Sequence, residues 1–220
     1  MVVSEYGAMG TMSIYWLFFG FAILLISTCY QLYHIIEKSS INDFSLSKGS
    51  PFPAFIYSLT SGMSPLKKES AYLHLPTYIT GILYHIGSFY ALIWIIFHII
   101  KFSPGHFFIQ ISIYFLLGTT CCGFGILLKR ILNSKLRSIS NPDDYFSNFL
   151  VSCFQLLSAL TLLYPMLTDY LYVYSGILFL YIPFGKLRHI IFFFIARFYL
   201  ALFYGRRGVW PQRRRRKWHM

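Results

Sequence analysis

The chain has 220 residues, of which 56% are hydrophobic, 20% aromatic and only 12% charged. So few charges cannot cover a soluble globule of this length, so the composition places the protein in a bilayer. Its formal net charge is +12, from nineteen Lys and Arg against seven Asp and Glu. In a membrane protein that excess fixes topology and meets anionic headgroups, and it does not call for nucleic acid as a partner.

Five apolar runs approach the roughly 20 residues that a hydrocarbon core demands. They are Ser13 to Ile36, Thr77 to Ile100, Phe107 to Leu128, Phe146 to Leu167, and Tyr170 to about His189. The expected fold is therefore an all-α membrane protein, a five-transmembrane-helix bundle over 1–204 followed by a basic tail at 205–220. The first run is too long for a cleavable signal peptide and lacks a basic segment before it, so it is expected to stay as a helix. The polar stretch Glu37 to Pro76 is the one sizeable loop, too poor in aliphatics to build a core alone. Beyond the fifth run, Pro183 and Gly185 interrupt the helix. Ile190 to Phe203, apolar but carrying Arg197, reads as an interfacial helix.

Cationic residues cluster on alternate connections. Lys38, Lys48, Lys67 and Lys68 follow the first run, Lys129, Arg130, Lys135 and Arg137 follow the third, and Arg206, Arg207 and Arg213 to Lys217 lie in the tail. The other side carries Lys101 with the acidic Glu5 and Asp169. The positive-inside rule then puts the N-terminus outside and the C-terminus in the cytoplasm, as an odd number of spans requires. The expected location is the cell (inner) membrane, with the protein multi-pass.

Cys29, Cys121, Cys122 and Cys153 all fall within apolar runs, with no Cys-x-x-Cys spacing to suit zinc or an iron–sulfur cluster. Histidine is more informative. His34, His74, His106 and His219 lie at interfaces, in a loop or in the tail, where an amphipathic ring needs no cofactor. His85 lies eight residues into the second run, about 12 Å from its cytoplasmic end, too deep for the ring to reach the headgroups. His189 ends the last run. Antiparallel second and fifth helices would bring His85 and His189 to one depth, where two imidazoles could ligate a haem iron. Lys186 and Arg188 flank His189 at the level where haem propionates would emerge. Gly81, Gly87 and Gly176 would let a flat macrocycle approach the backbone, or would serve ordinary helix packing. His98 shares the second run with His85 and has no evident partner histidine, although Met166 offers a thioether.

Leu83-Tyr84-His85-Ile86-Gly87, Leu127-Leu128-Lys129-Arg130 with Arg137 and Asp143, and Pro183-Phe184-Gly185-Lys186-Leu187-Arg188-His189 resemble, in order and spacing, the membrane gamma subunit of respiratory nitrate reductase and its relatives. The likeness runs from about Tyr78 to Arg197. It implies a five-helix b-type cytochrome with quinone chemistry and not nitrate as substrate. That family holds a second haem through histidines at positions occupied here by Ile95 and Leu171, so the resemblance implies one haem b, ligated by His85 and His189. The segment Gly62 to Ser70, leading into Leu73-His74-Leu75-Pro76, is similar to small cytochrome subunits of sulfur-metabolism redox complexes. Those sit beside an iron–sulfur protein resembling the catalytic subunit of heterodisulfide reductase.

A non-catalytic electron-transfer subunit follows from this resemblance, linking a menaquinone-type quinone to a cytoplasmic-side iron–sulfur partner. Lys186, Arg188 and Arg130 are expected at the propionates, and His74, Lys67 and Lys68 near the quinone. The alternative is a haem-free membrane anchor of a respiratory complex. A transporter subunit is disfavoured, because no acidic residue lies within a span and no inverted repeat is visible.

Overall fold

The computed structural model describes residues 2–38, 45–65 and 72–211, with side chains described from Thr11 onward in the first helix. Its helices, numbered in chain order, are α1 (Val2–Lys38), α2 (Pro51–Leu59), α3 (Leu75–Ile99), α4 (His106–Leu132), α5 (Ser134–Ser138), α6 (Pro142–Leu163), α7 (Thr168–Tyr181) and α8 (His189–Arg206). Short 3₁₀ turns lie at Ser61–Met63, Pro165–Leu167 and Lys186–Arg188. There is no strand among the described residues. Five helices are long and apolar enough to cross a membrane: Thr11–Lys38, Leu75–Ile99, His106–Leu132, Pro142–Leu163 and Lys186–Arg206.

The first four match the runs expected from sequence, and the fifth does not. Helical structure from Thr168 stops at Tyr181, giving 14 residues, or about 21 Å. The Tyr181 carbonyl then accepts from the amides of Phe184 and Gly185, closing a turn around Pro183, which has no amide hydrogen to continue the ladder. The length that qualifies as a fifth span therefore belongs to Lys186–Arg206, the segment expected to lie in the interface.

The chain divides into two compact units, 1–31 with 76–188 and 32–75 with 189–220. Within the first, contacts fix the helix directions. Tyr90 on α3 bonds Ser112 on α4, and Trp94 stacks near Phe108, so α3 and α4 are antiparallel. A Cβ on Gly123 of α4 would strike Ser152 of α6 and Tyr84 of α3, and Phe124 meets Phe149, so α4 and α6 are also antiparallel. The Tyr174 hydroxyl on α7 donates to the Leu150 carbonyl and Tyr181 meets Phe146, which reverses direction again. Finally α1 runs parallel to α7, with Ser13 on Asp169, Trp16 Nε1 on the Val173 carbonyl, and Gly20 against Gly176. Within this unit α3, α4, α6 and α7 thus alternate in direction, and α1 lies parallel to α7.

Local signals explain the ends. Asn141 caps α6, accepting from the Asp144 amide while its own amide donates to Asp144 Oδ2, with Pro142 in the first turn. The end of α3 closes with Lys101 at φ 53°, its amide on the His98 carbonyl and the Phe102 amide on the Phe97 carbonyl. Phe97 and Phe102 pack at 5.0 Å, completing a Schellman ending at a position where glycine is the usual residue.

The second unit shows that the long polar stretch is more than a loop. Its α2 packs antiparallel on α8, with Gly205 against Pro51 and Ala54 and Phe55 against Phe198. The amides of Lys48 and Gly49 donate to the Arg206 carbonyl, satisfying an end that α8 would otherwise leave open. Arg197, midway along α8, reaches Met63 Sδ at 2.9 Å and lies over the Phe193 ring.

Candidate functional site

His85 projects from an exposed face of α3, inside a span where an ionisable side chain is unusual. Its Nδ1 lies 2.7 Å from the Gly81 carbonyl, one turn back. A carbonyl can only accept, so Nδ1 carries the proton and the lone pair of the neutral ring sits on Nε2. That is the tautomer of a metal-ligating imidazole steadied by a backbone carbonyl. A Cβ on Gly81 would meet nothing within 4 Å, so the backbone there is open beside the ring. On the other face, Tyr84 is held by its hydroxyl to the Asn148 carbonyl and by its own carbonyl to Gln155 Nε2. These bonds fix the rotation of α3 and hence the side on which His85 emerges.

The two other glycines singled out in the sequence have packing roles. Gly87 gives room to Thr119 of α4, and Gly176 gives room to Trp16 of α1. Ile95 and Leu171 are buried, Leu171 completely, as aliphatic packing residues. His98 lies beside Trp94 at 6.2 Å between ring centroids, and its buried Nε2 has no hydrogen-bond partner among the described residues. Met166 is 81% exposed in the Pro165–Leu167 turn.

Two of the three cations expected near propionates, Lys186 and Arg130, meet a carboxylate. Asp144, 5% exposed, receives Lys186 Nζ on Oδ1 and Arg130 NH1 on Oδ2 at 3.4 Å. Arg130 also donates to Ser140. Sequence reasoning missed Asp144; the available signal was Asn-Pro-Asp-Asp, an N-cap followed at the third helical position by an acid. The neighbouring Lys129 bonds Thr77 at the start of α3.

His189 is exposed at the first position of α8 and belongs to the second unit, as does the exposed His74. Arg188 is exposed in the Lys186–Arg188 turn. Lys67 and Lys68, His219, and the run Arg213 to Lys217 lie outside the described residues. His34 pairs with Glu37 at 3.5 Å, and His106 is exposed at the start of α4. No group of three or more metal-binding side chains occurs among the described residues; a pair of imidazoles is a smaller set than that. No protein family, curated protein or solved structure matches this chain.

Proposed function

We propose that the protein is a multi-pass b-type cytochrome subunit of the cell membrane, carrying electrons between a menaquinone-type quinone and a cytoplasmic-side iron–sulfur partner. The observation that carries the reading is His85. It stands within an apolar helix, and its Nδ1 proton is committed to Gly81, the tautomer in which an imidazole would ligate a metal through Nε2. Haem suits this donor: His85 and His189 would hold it, and a haem b would supply reversible one-electron chemistry. The chain's own contribution is to fix the ring's tautomer and direction. The Gly81 carbonyl does the first, and the Tyr84 bonds to α6 do the second.

The same reading has the N-terminus outside and the basic connections in the cytoplasm, where a partner resembling heterodisulfide reductase would dock. One observation favours the rival, a haem-free anchor: Lys186 and Arg130 already hold Asp144, so neither is idle without propionates. Visible spectra of the purified chain separate the two. His85→Ala and His189→Ala should each abolish a reduced low-spin b-type spectrum, and His106→Ala should leave it intact. Retention of the spectrum in both ligand variants would overturn the assignment.

A further inference from the structure

The middle of the first unit contains two orphaned polar atoms on neighbouring helices. Gln155 of α6 is 0% exposed. Its Nε2 donates to the Tyr84 carbonyl at 2.9 Å and to Ser88 Oγ at 2.7 Å, both on α3. Its Oε1 is buried and has no partner among the described residues. Thr120 of α4 is 4% exposed, and its Oγ1 is likewise buried and unpartnered. The neighbouring Thr119 hydroxyl, by contrast, closes on the Leu116 carbonyl of its own helix.

The register puts the two orphans at one level. Gly123 of α4 abuts Ser152 of α6. The helices are antiparallel, so stepping three residues back to Thr120 and three forward to Gln155 moves the same way along both by about 4.5 Å. The α3 contacts agree, since Gly87 meets Thr119 and the adjacent Ser88 meets Gln155. Thr120, Gln155 and Ser88 therefore share one polar layer, near the middle of three spans and away from either membrane surface.

A buried amide oxygen and a buried hydroxyl left dry in a bilayer would each carry a desolvation penalty. No hydrogen bond joins them directly. A water molecule supplies what both lack, donating to Gln155 Oε1 and exchanging a hydrogen bond with the Thr120 hydroxyl, which can donate or accept. From these two orphans in one layer we infer that the bundle binds an internal water between α4 and α6, held by Gln155 and Thr120. The bound water ties α4 to the Gln155–Tyr84–Ser88 cluster, and so to the helix that bears His85. Closure on a carbonyl of the same helix, which satisfies the Ser158 and Thr161 hydroxyls on α6, is unavailable to an amide oxygen, which can only accept.

The full chain, purified in detergent or nanodiscs, tests this by the sign of a substitution. Thr120→Val keeps the shape and removes the hydroxyl. If a water is held there, the variant loses a hydrogen bond and its unfolding midpoint falls by about 2–4 °C, while Thr120→Ser stays near the parent. The loss should disappear in a Gln155→Leu background, where the water has already lost its other partner. A rise in the midpoint of Thr120→Val would mean that a dry orphan had been removed, and would overturn the inference. So would an equal loss in both backgrounds. High-resolution density gives a second readout, independent of folding: a solvent peak within hydrogen-bond distance of both atoms supports the site, and a dry layer at a resolution showing other internal waters refutes it.

Discussion

Replacing Asp144 by Asn removes one charge from the α4–α6 junction while preserving size and the helix cap, because an amide oxygen can still accept from the Asn141 amide. Removing one partner of a fully buried ion pair costs about 3–5 kcal/mol. Here the cations are less committed. The Lys186 side chain is 53% exposed and the Arg130 side chain 31% exposed, against 5% for Asp144. Both can turn to water once the carboxylate is gone, which brings the expected cost to about 1–2 kcal/mol. For a domain of this length each kcal/mol lowers the midpoint by about 2–4 °C, so Asp144→Asn should lower it by several degrees in differential scanning fluorimetry of the solubilised protein. Lys186→Met should cost less in that variant than in the parent, since both substitutions remove the same ion pair. If Asp144→Asn matched the parent, or if Lys186→Met cost as much in the variant as in the parent, the junction would not be held by this ion pair and the reasoning would fail.

Three further outcomes follow from the packing. Lys101 sits at φ 53°, so Lys101→Gly should raise stability by about 0.5–1 kcal/mol, read as a higher midpoint by the same fluorimetry; a fall would mean that the lysine side chain matters more than its backbone. Gly176→Val should break the contact with Trp16 and Gly20 and separate α1 from α7, lowering the midpoint by more than Gly81→Ala, whose Cβ meets open space; equal effects would contradict the glycine packing. Single-cysteine labelling at Lys101 and at Arg206 in intact cells should mark opposite sides of the membrane, and labelling of both from outside would overturn the proposed orientation.

Periodicity and length carried most of the fold. The spans of α1, α3, α4 and α6 are long apolar runs with polar or proline-containing ends, and such runs are legible because lipid leaves the backbone no alternative to a helix. The fifth was misplaced because Tyr170 to His189 is as apolar as the others. Hydropathy cannot register that the Tyr181 carbonyl closes a turn ahead of Pro183. The packing of α2 on α8 was hidden for a different reason: it rests on Gly49, Ala54 and Gly205, small residues whose value depends on a partner far along the chain. At the candidate site, the place of His85 within an apolar helix was readable from the run, and its bond to Gly81 follows from one helical turn. The role of Asp144 was not readable, since its cations lie 14 residues before it and 42 after it in the sequence, and only the meeting of α4 and α6 brings them together.

Haem content of the purified wild-type chain tests the central claim most directly. A pyridine haemochrome assay against protein concentration should give about one haem b per chain, with its reduced band lost in His85→Ala. A pure, folded, monodisperse protein with no haem after expression under haem-replete conditions would contradict the cytochrome reading and leave the membrane anchor in its place.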